Sequence, residues 1–209
     1  MKLTQPVLSG AHVRLEPLER THIAALTAAA GGDPALYRWS YIPQGLTDMA
    51  HYVEAALAAR AGGTALPYAT VRRADGVVVG SSRFFDIERW AWPAGHRQAS
   101  RDGPDGCEIG YTWLAADAVR TAANTEAKRL MLAQAFEGWN ALRVCFHTDA
   151  RNQRSAAALE RIGARLEGTI RAHRLAHDHV VRDSLRFSIV AAEWPLVRAA
   201  LDHRLKATP

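Results

Sequence analysis

A chain of 209 residues in which 48% are apolar can bury one sizeable core, which excludes a wholly disordered polymer and calls for no second domain. Its 26 Lys and Arg against 21 Asp and Glu leave a formal net charge of +5, dispersed along the chain, so it attracts anions without marking a nucleic-acid-reading element. Cys107 and Cys145 show no paired spacing, and the N-terminal MKLTQPVLSG lacks the apolar run of a secretory signal or a bilayer span; both point to reduced thiols in a cytoplasmic protein.

In chain order, residues 12–18 read as a strand, and Thr21 precedes a short alanine-rich helix that Gly31, Gly32 and Pro34 end. A second helix is expected behind a Thr47 cap, with Met49, Tyr52, Val53, Ala56 and Leu57 as its apolar stripe. Residues 68–88 read as two strands joined at Asp75–Gly76, a dipeptide suited to a tight turn. Residues 90–106, WAWPAGHRQASRDGPDG, break every periodicity and are expected to form a loop insertion. Trp90 and Trp92 make that loop a candidate substrate lid or subunit contact, the latter consistent with a homodimer, as against a plain disordered insertion.

The second half is more regular. CEIGYTWL, from Cys107, has strand composition, and a helix is expected to start near Asn124, with Leu132, Ala135, Phe136 and Trp139 on one face. The unpaired N–H groups of its first turn and the positive end of its dipole would seat an anion such as a pyrophosphate, with Arg120 beside it. Leu142, Val144 and Phe146 alternate with Arg143, Cys145 and His147 as in a strand with one buried face. Asn152 then caps a helix with Ala156, Leu159 and Ile162 inward, which Gly163 stops. Residues 167–190 read as two strands around an AHDH turn, and residues 194–205 as a closing helix.

The segments CEIGYTWLAADAVRTAANTEAK and LRVCFHTDARNQRSAAALERIGARLEG resemble the core of the GNAT superfamily of acetyl-CoA-dependent N-acetyltransferases, and within it the RimJ/RimL-like branch that acetylates ribosomal-protein N-termini. The resemblance implies a single domain of the α/β (α+β) class: a mixed, twisted, largely antiparallel sheet flanked by helices, splayed where CoA enters. It also implies acetyl-CoA as co-substrate and direct attack by an amine acceptor, with neither metal nor membrane involved. The phosphate turn would comprise Arg120, Thr121, Ala122, Ala123, Asn124 and Thr125. The turn departs from the family pattern, since Val119, Ala122 and Asn124 stand where a Gln or Arg and two small residues, typically glycines, are usual. A methyl at Ala122 would narrow the approach to phosphate if that position needs positive φ.

Acetyl transfer needs a neutral amine, donors for the tetrahedral oxyanion and a proton for the departing thiolate. By the resemblance, Glu108 is the candidate base, and Ser155 the candidate acid, since Leu159 occupies the place of the tyrosine that many members use. Asn152 would bond the pantetheine arm, Arg161 joins the cofactor set, and main-chain groups around Trp113 and Leu114 would serve the thioester. Trp39, Tyr41, Phe84, Phe85 and His173 are candidates for the acceptor pocket, each with a core or surface role as its plain alternative. The cluster of His173, His177 and His179 around a turn has no cysteine partner, which speaks against a metal. The acceptor is a protein N-terminus or a small amine such as an antibiotic or polyamine. A CoA-binding module without catalysis and a nucleic-acid-binding protein reusing the fold are the other classes in play.

Overall fold

The computed structural model describes residues 3–32 and 34–207. The elements follow as β1 (Leu8–Ser9), β2 (Val13–Pro17), α1 (Ile23–Ala30), α2 (Gly45–Ala61), β3 (Ala65–Arg72), β4 (Val78–Glu88), β5 (Gly106–Leu114), α3 (Ala122–Ala133), β6 (Arg143–Asp149), α4 (Gln153–Arg161), β7 (Arg165–Leu175), β8 (Val181–Val190) and α5 (Trp194–Lys206). The eight strands form one sheet in the order β1-β2-β3-β4-β5-β6-β8-β7. Among the described residues only β5 and β6 run parallel. This is the mixed, largely antiparallel architecture that the resemblance implies.

Two apolar clusters anchor the helices. The larger gathers Phe84, Ile109, Met131, Phe146 and Phe187, with α3, α4 and α5 contributing. The smaller gathers Leu26, Met49, Val53, Ala69 and Trp113, with α1 and α2 contributing. Consecutive strand residues point to opposite faces. Hence Ile109 belongs to the first cluster and Glu108, beside it, faces the other way.

Two helix starts differ from expectation. The helix α2 begins at Gly45 behind Gln44, two residues before Thr47. Thr121, not Asn124, caps α3: its backbone is extended, its hydroxyl accepts from Ala123 N–H at 3.2 Å and donates to the Ala118 carbonyl at 2.8 Å. The two alanines that follow are strong helix formers, so the helix takes the earlier cap and draws Ala122, Ala123 and Asn124 into its first turn. The turn is thus shorter than the sequence suggests. Positive φ falls on Arg120 (65°), and Ala122 lies within the helix, so the methyl of Ala122 meets no left-handed requirement.

The loop before β5 is folded. Buried Asp105 accepts from the Trp90 amide at 2.8 Å, the Trp92 indole at 2.9 Å and the Arg101 guanidinium at 2.5 Å. Asp105 N–H bonds Glu88 O, and Leu142 N–H bonds Asp105 O. These contacts fasten the loop at the Gly106 end of β5.

Candidate active site

The strands β5 and β6 pair at only three positions, Gly106 with Arg143, Cys107 with Val144 and Glu108 with Cys145. Beyond them β6 stays hydrogen-bonded to β8 as far as Asp149. Strand β5 stays with β4 up to Leu114, opposite Gly80. The two parallel neighbours therefore part at Glu108, leaving one edge of β5 from Ile109 to Leu114 without a strand beside it. Between the Arg83–Gly110 and Ser81–Trp113 pairs, β4 has one residue and β5 has two, so Tyr111 and Thr112 form a bulge, with Tyr111 at φ 50°. A bulge bends and twists its strand, which accounts for the divergence.

Glu108 is 4% exposed at the fork. Its Oε2 lies 2.7 Å from Nδ1 of His147, two residues beyond its partner Cys145 and on the same face of β6. With Nδ1–H donating to the carboxylate, Nε2 is left buried and unpaired. The ring of His173, on β7, stands 5.0 Å from that of His147. Burial, and then the Arg174 charge, holds His173 below the usual imidazole range, so it favours the neutral form. Burial pushes the Cys107 thiol far up, which leaves it a poor nucleophile.

At the open end of the fork, exposed Arg120 and the first turn of α3 stand at the foot of β5. Tyr37, from a short 3-10 turn, donates its hydroxyl to the Leu114 carbonyl at 3.0 Å and packs on Trp113. Asn152 caps α4 by accepting from Ser155 N–H at 3.0 Å, which places the Ser155 hydroxyl, half-buried, on the first turn beside the end of β6. Arg161 is exposed in the last turn of α4, roughly 9 Å of helix rise from Ser155.

The acceptor candidates separate. Phe85 is half-buried against Tyr111, with ring centres 5.0 Å apart, on the face that carries Glu108. Phe84 is fully buried against Trp139 and Tyr68 and belongs to the core, because strand alternation turns it to the opposite face. Trp39 is half-buried between the guanidinium groups of Arg38 and Arg151, at 4.8 and 4.5 Å. Tyr41 is exposed. His147, Tyr37 and the buried Lys128 were not among the sequence candidates. His147 was visible as an outward residue of its strand, but its partner depends on a parallel register that no local pattern encodes. Among the described residues no group of three or more His, Cys, Asp or Glu side chains could hold a metal ion, and no helix is long and apolar enough to cross a membrane.

A carboxylate at the root of a forked sheet, with a helix N-terminus at the fork's open end, is the layout the resemblance implies for acetyl-CoA-dependent transferases. Residues 12–165 match the model of the Acetyltransferase (GNAT) domain, and the chain belongs to that family. No functionally curated protein matches it. Among solved structures, a GCN5-related N-acetyltransferase from Brucella melitensis is similar with a TM-score of 0.83 and 26% identity, over 98% of this chain and 87% of that one. A T. thermophilus protein classed as an acetyltransferase gives 0.78 and 31%, over 98% of this chain and 100% of that one. Mycobacterium smegmatis RimJ, in complex with CoA-disulfide, gives 0.75 and 22%, over 95% and 91%, a likeness of fold.

Proposed function

We propose that this acetyltransferase moves the acetyl group of acetyl-CoA to a primary amine by direct attack, with Glu108 as general base. The observation that carries the reading is the place of Glu108: the last paired residue before β5 and β6 diverge, buried, and oriented by His147 at 2.7 Å. The acceptor enters as an ammonium, and Glu108 takes a proton from it directly or through water. The freed nitrogen forms a bond to the thioester carbon; the C–S bond breaks; CoA leaves as thiolate and is protonated, so the sum is amide, CoA thiol and one released proton. Main-chain groups on the free edge of β5 around Trp113 and Leu114 are suited to the developing oxyanion and the pantetheine amides. Arg120, Thr121 and the first-turn amides of Ala122 and Asn124 suit the pyrophosphate. The Asn152 side-chain amide has donors left for the pantetheine arm, and the Ser155 hydroxyl, on the first turn of α4, is the candidate proton donor to the thiolate. The M. smegmatis RimJ complex supports CoA as the ligand of this fold. The inertness of Cys107 favours direct attack over an acyl-cysteine route.

The test is Glu108→Gln in a thiol-release assay with acetyl-CoA and a panel of amines. Turnover should fall by about 10²- to 10⁴-fold, the usual worth of a general base. The acetyl-CoA dissociation constant should stay within about twofold of wild type. Unchanged turnover would remove Glu108 from the mechanism.

A further inference from the structure

The face of the sheet that carries Glu108 holds a second buried charge. Arg83 on β4 is 7% exposed, and among the described residues its guanidinium has no carboxylate and no hydrogen-bond acceptor. It lies between two rings, with its Cζ 3.9 Å from the centre of Tyr111 and 5.1 Å from that of Tyr52 on α2. Its Nε is sealed from solvent and unpaired, and so is the hydroxyl of Tyr52; the terminal nitrogens of Arg83 are unpaired but not sealed. A guanidinium is permanently cationic, and cation–π contacts satisfy the faces of the group but not its N–H donors. Buried donors without partners are rare in native proteins, and a guanidinium buried this deeply with none of its nitrogens paired asks for an acceptor-rich occupant.

Register gives the site its scale. Arg83 is opposite Gly110, and Glu108 is opposite Phe85, so Arg83 and Glu108 are diagonal neighbours on one face, roughly 7–8 Å apart. The surroundings add positive charge: Arg182 on β8 is half-buried, without a hydrogen bond or ion pair among the described residues, and the charges of Asp149, Arg174 and Glu108 all act on it. A simple cationic amine such as a polyamine would meet more positive than negative groups here.

We infer that the acceptor is a small amine that also bears an oxyanion, a carboxylate or a phosphate, which the terminal nitrogens of Arg83 hold while the amino group meets Glu108. The inference rests on the proposed reading of Glu108 as the place where the amine reacts. Tyr111, half-exposed at φ 50° in the bulge, covers the guanidinium on the solvent side, so the same bulge that opens the CoA cleft also walls the anion site. A guanidinium with both terminal nitrogens unpaired matches a carboxylate or phosphate in bidentate fashion.

The experiment measures thiol release from acetyl-CoA with matched acceptors: the free α-amino acids against their primary amides, and O-phosphoethanolamine against ethanolamine. The inference expects the anionic member of a pair to be preferred by at least about 100-fold in kcat/KM, and the two anion types to separate carboxylate from phosphate recognition. Arg83→Met should abolish that preference by raising KM for the anionic member, with little change for the neutral one. Arg83→Lys, which keeps the charge but loses the bidentate fork, should lower it by about tenfold and guards against a folding failure of Arg83→Met. Equal or better turnover of the neutral members, or a preference untouched by both variants, overturns the inference while leaving the acetyl-transfer reading in place. Saturable acetyl-CoA binding without turnover of any pair overturns the small anionic acceptor. Absence of acetyl-CoA binding overturns the functional reading itself, and the inference with it.

Discussion

Lys128 reaches across the core from α3 to the bulge on β5, its Nζ 2.5 Å from Oγ1 of Thr112 and 3.2 Å from Oγ of Ser82. The two hydroxyls are themselves 2.7 Å apart, and among the described residues no carboxylate joins them. Lys128 is 4% exposed, and burial brings its ammonium down to about 7 from an ordinary value of 10.5. A lysine at this depth braces the strand where it leaves β6, and its desolvation cost is the charge's, not the hydrocarbon stem's.

The consequence for stability has a definite sign. Below about pH 7 both the native and the unfolded lysine hold their proton, and the full cost of the buried charge is present. Between about 7 and 10.5 the unfolded chain holds a proton that the native protein has released, so the contribution of Lys128 to stability improves as pH rises. Lys128→Met should therefore be relatively most stabilising near pH 6.5, with its advantage shrinking by on the order of a few kcal/mol by pH 9.5. Urea unfolding of both proteins at the two pH values measures this, and the other titrating groups cancel in the difference. Parallel pH curves would show that the native lysine titrates normally.

Glu126, two residues earlier on α3, points to the opposite task. Its carboxylate accepts the amide N–H groups of Ala11, His12 and Val13 at 2.8, 2.6 and 2.7 Å, tying the start of β2 to the helix that carries the phosphate turn. A Cβ placed on Gly10 would collide with the carboxyl group of Glu126. Glu126→Ala should cost about 3 kcal/mol by stranding three donors, and Gly10→Ala should also destabilise. In the double variant the clash disappears with the carboxylate, so the two costs should fall short of additive by more than about 0.5 kcal/mol. Strict additivity in denaturant unfolding would separate the two residues.

These examples show which parts of the molecule local sequence could reveal. The stop at Gly163 and the cap at Asn152 were readable because each is a local match of residue type to backbone geometry, as φ 89° at Gly163 and the bond from Ser155 N–H to Asn152 show. The early start of α3 was not, because Thr121 and Asn124 are both competent caps and the choice rests on Thr121 also bonding Ala118. Of the candidate site, Glu108 was legible through the family resemblance of its segment, but His147, Arg83 and Lys128 owe their meaning to partners 16 to 46 residues away. Phe84 and Phe85 show the same limit: alternation says that only one faces the pocket, and the register with Ile109 and Glu108 decides which.

Arg120 occupies the left-handed region at φ 65°, where a side chain on an L-residue costs about 1 kcal/mol that glycine avoids. Arg120→Gly should thus leave thermal stability unchanged or slightly raised, while removing the charge beside the proposed pyrophosphate seat. Acetyl-CoA affinity should fall by about tenfold, the loss of one charge-assisted contact. Arg120→Ala should lose the same affinity without the conformational relief. Titrating the melting temperature with acetyl-CoA reads both quantities in one experiment, and an undiminished ligand shift in both variants would move the pyrophosphate away from this turn.

His147 touches Glu108 and not the proposed acceptor, so it is a positioning residue, and its substitution should act through the carboxylate. His147→Phe keeps a flat ring between Glu108 and His173 but removes the donor to Oε2, leaving a buried carboxylate one hydrogen bond short. Turnover should drop by about 10- to 100-fold with acetyl-CoA affinity intact. His147→Gln can still donate to Oε2 and should recover a measurable part of the lost rate. Equal rates in His147→Phe and His147→Gln would mean that the imidazole only packs beside Glu108 and that its hydrogen bond does not matter to turnover.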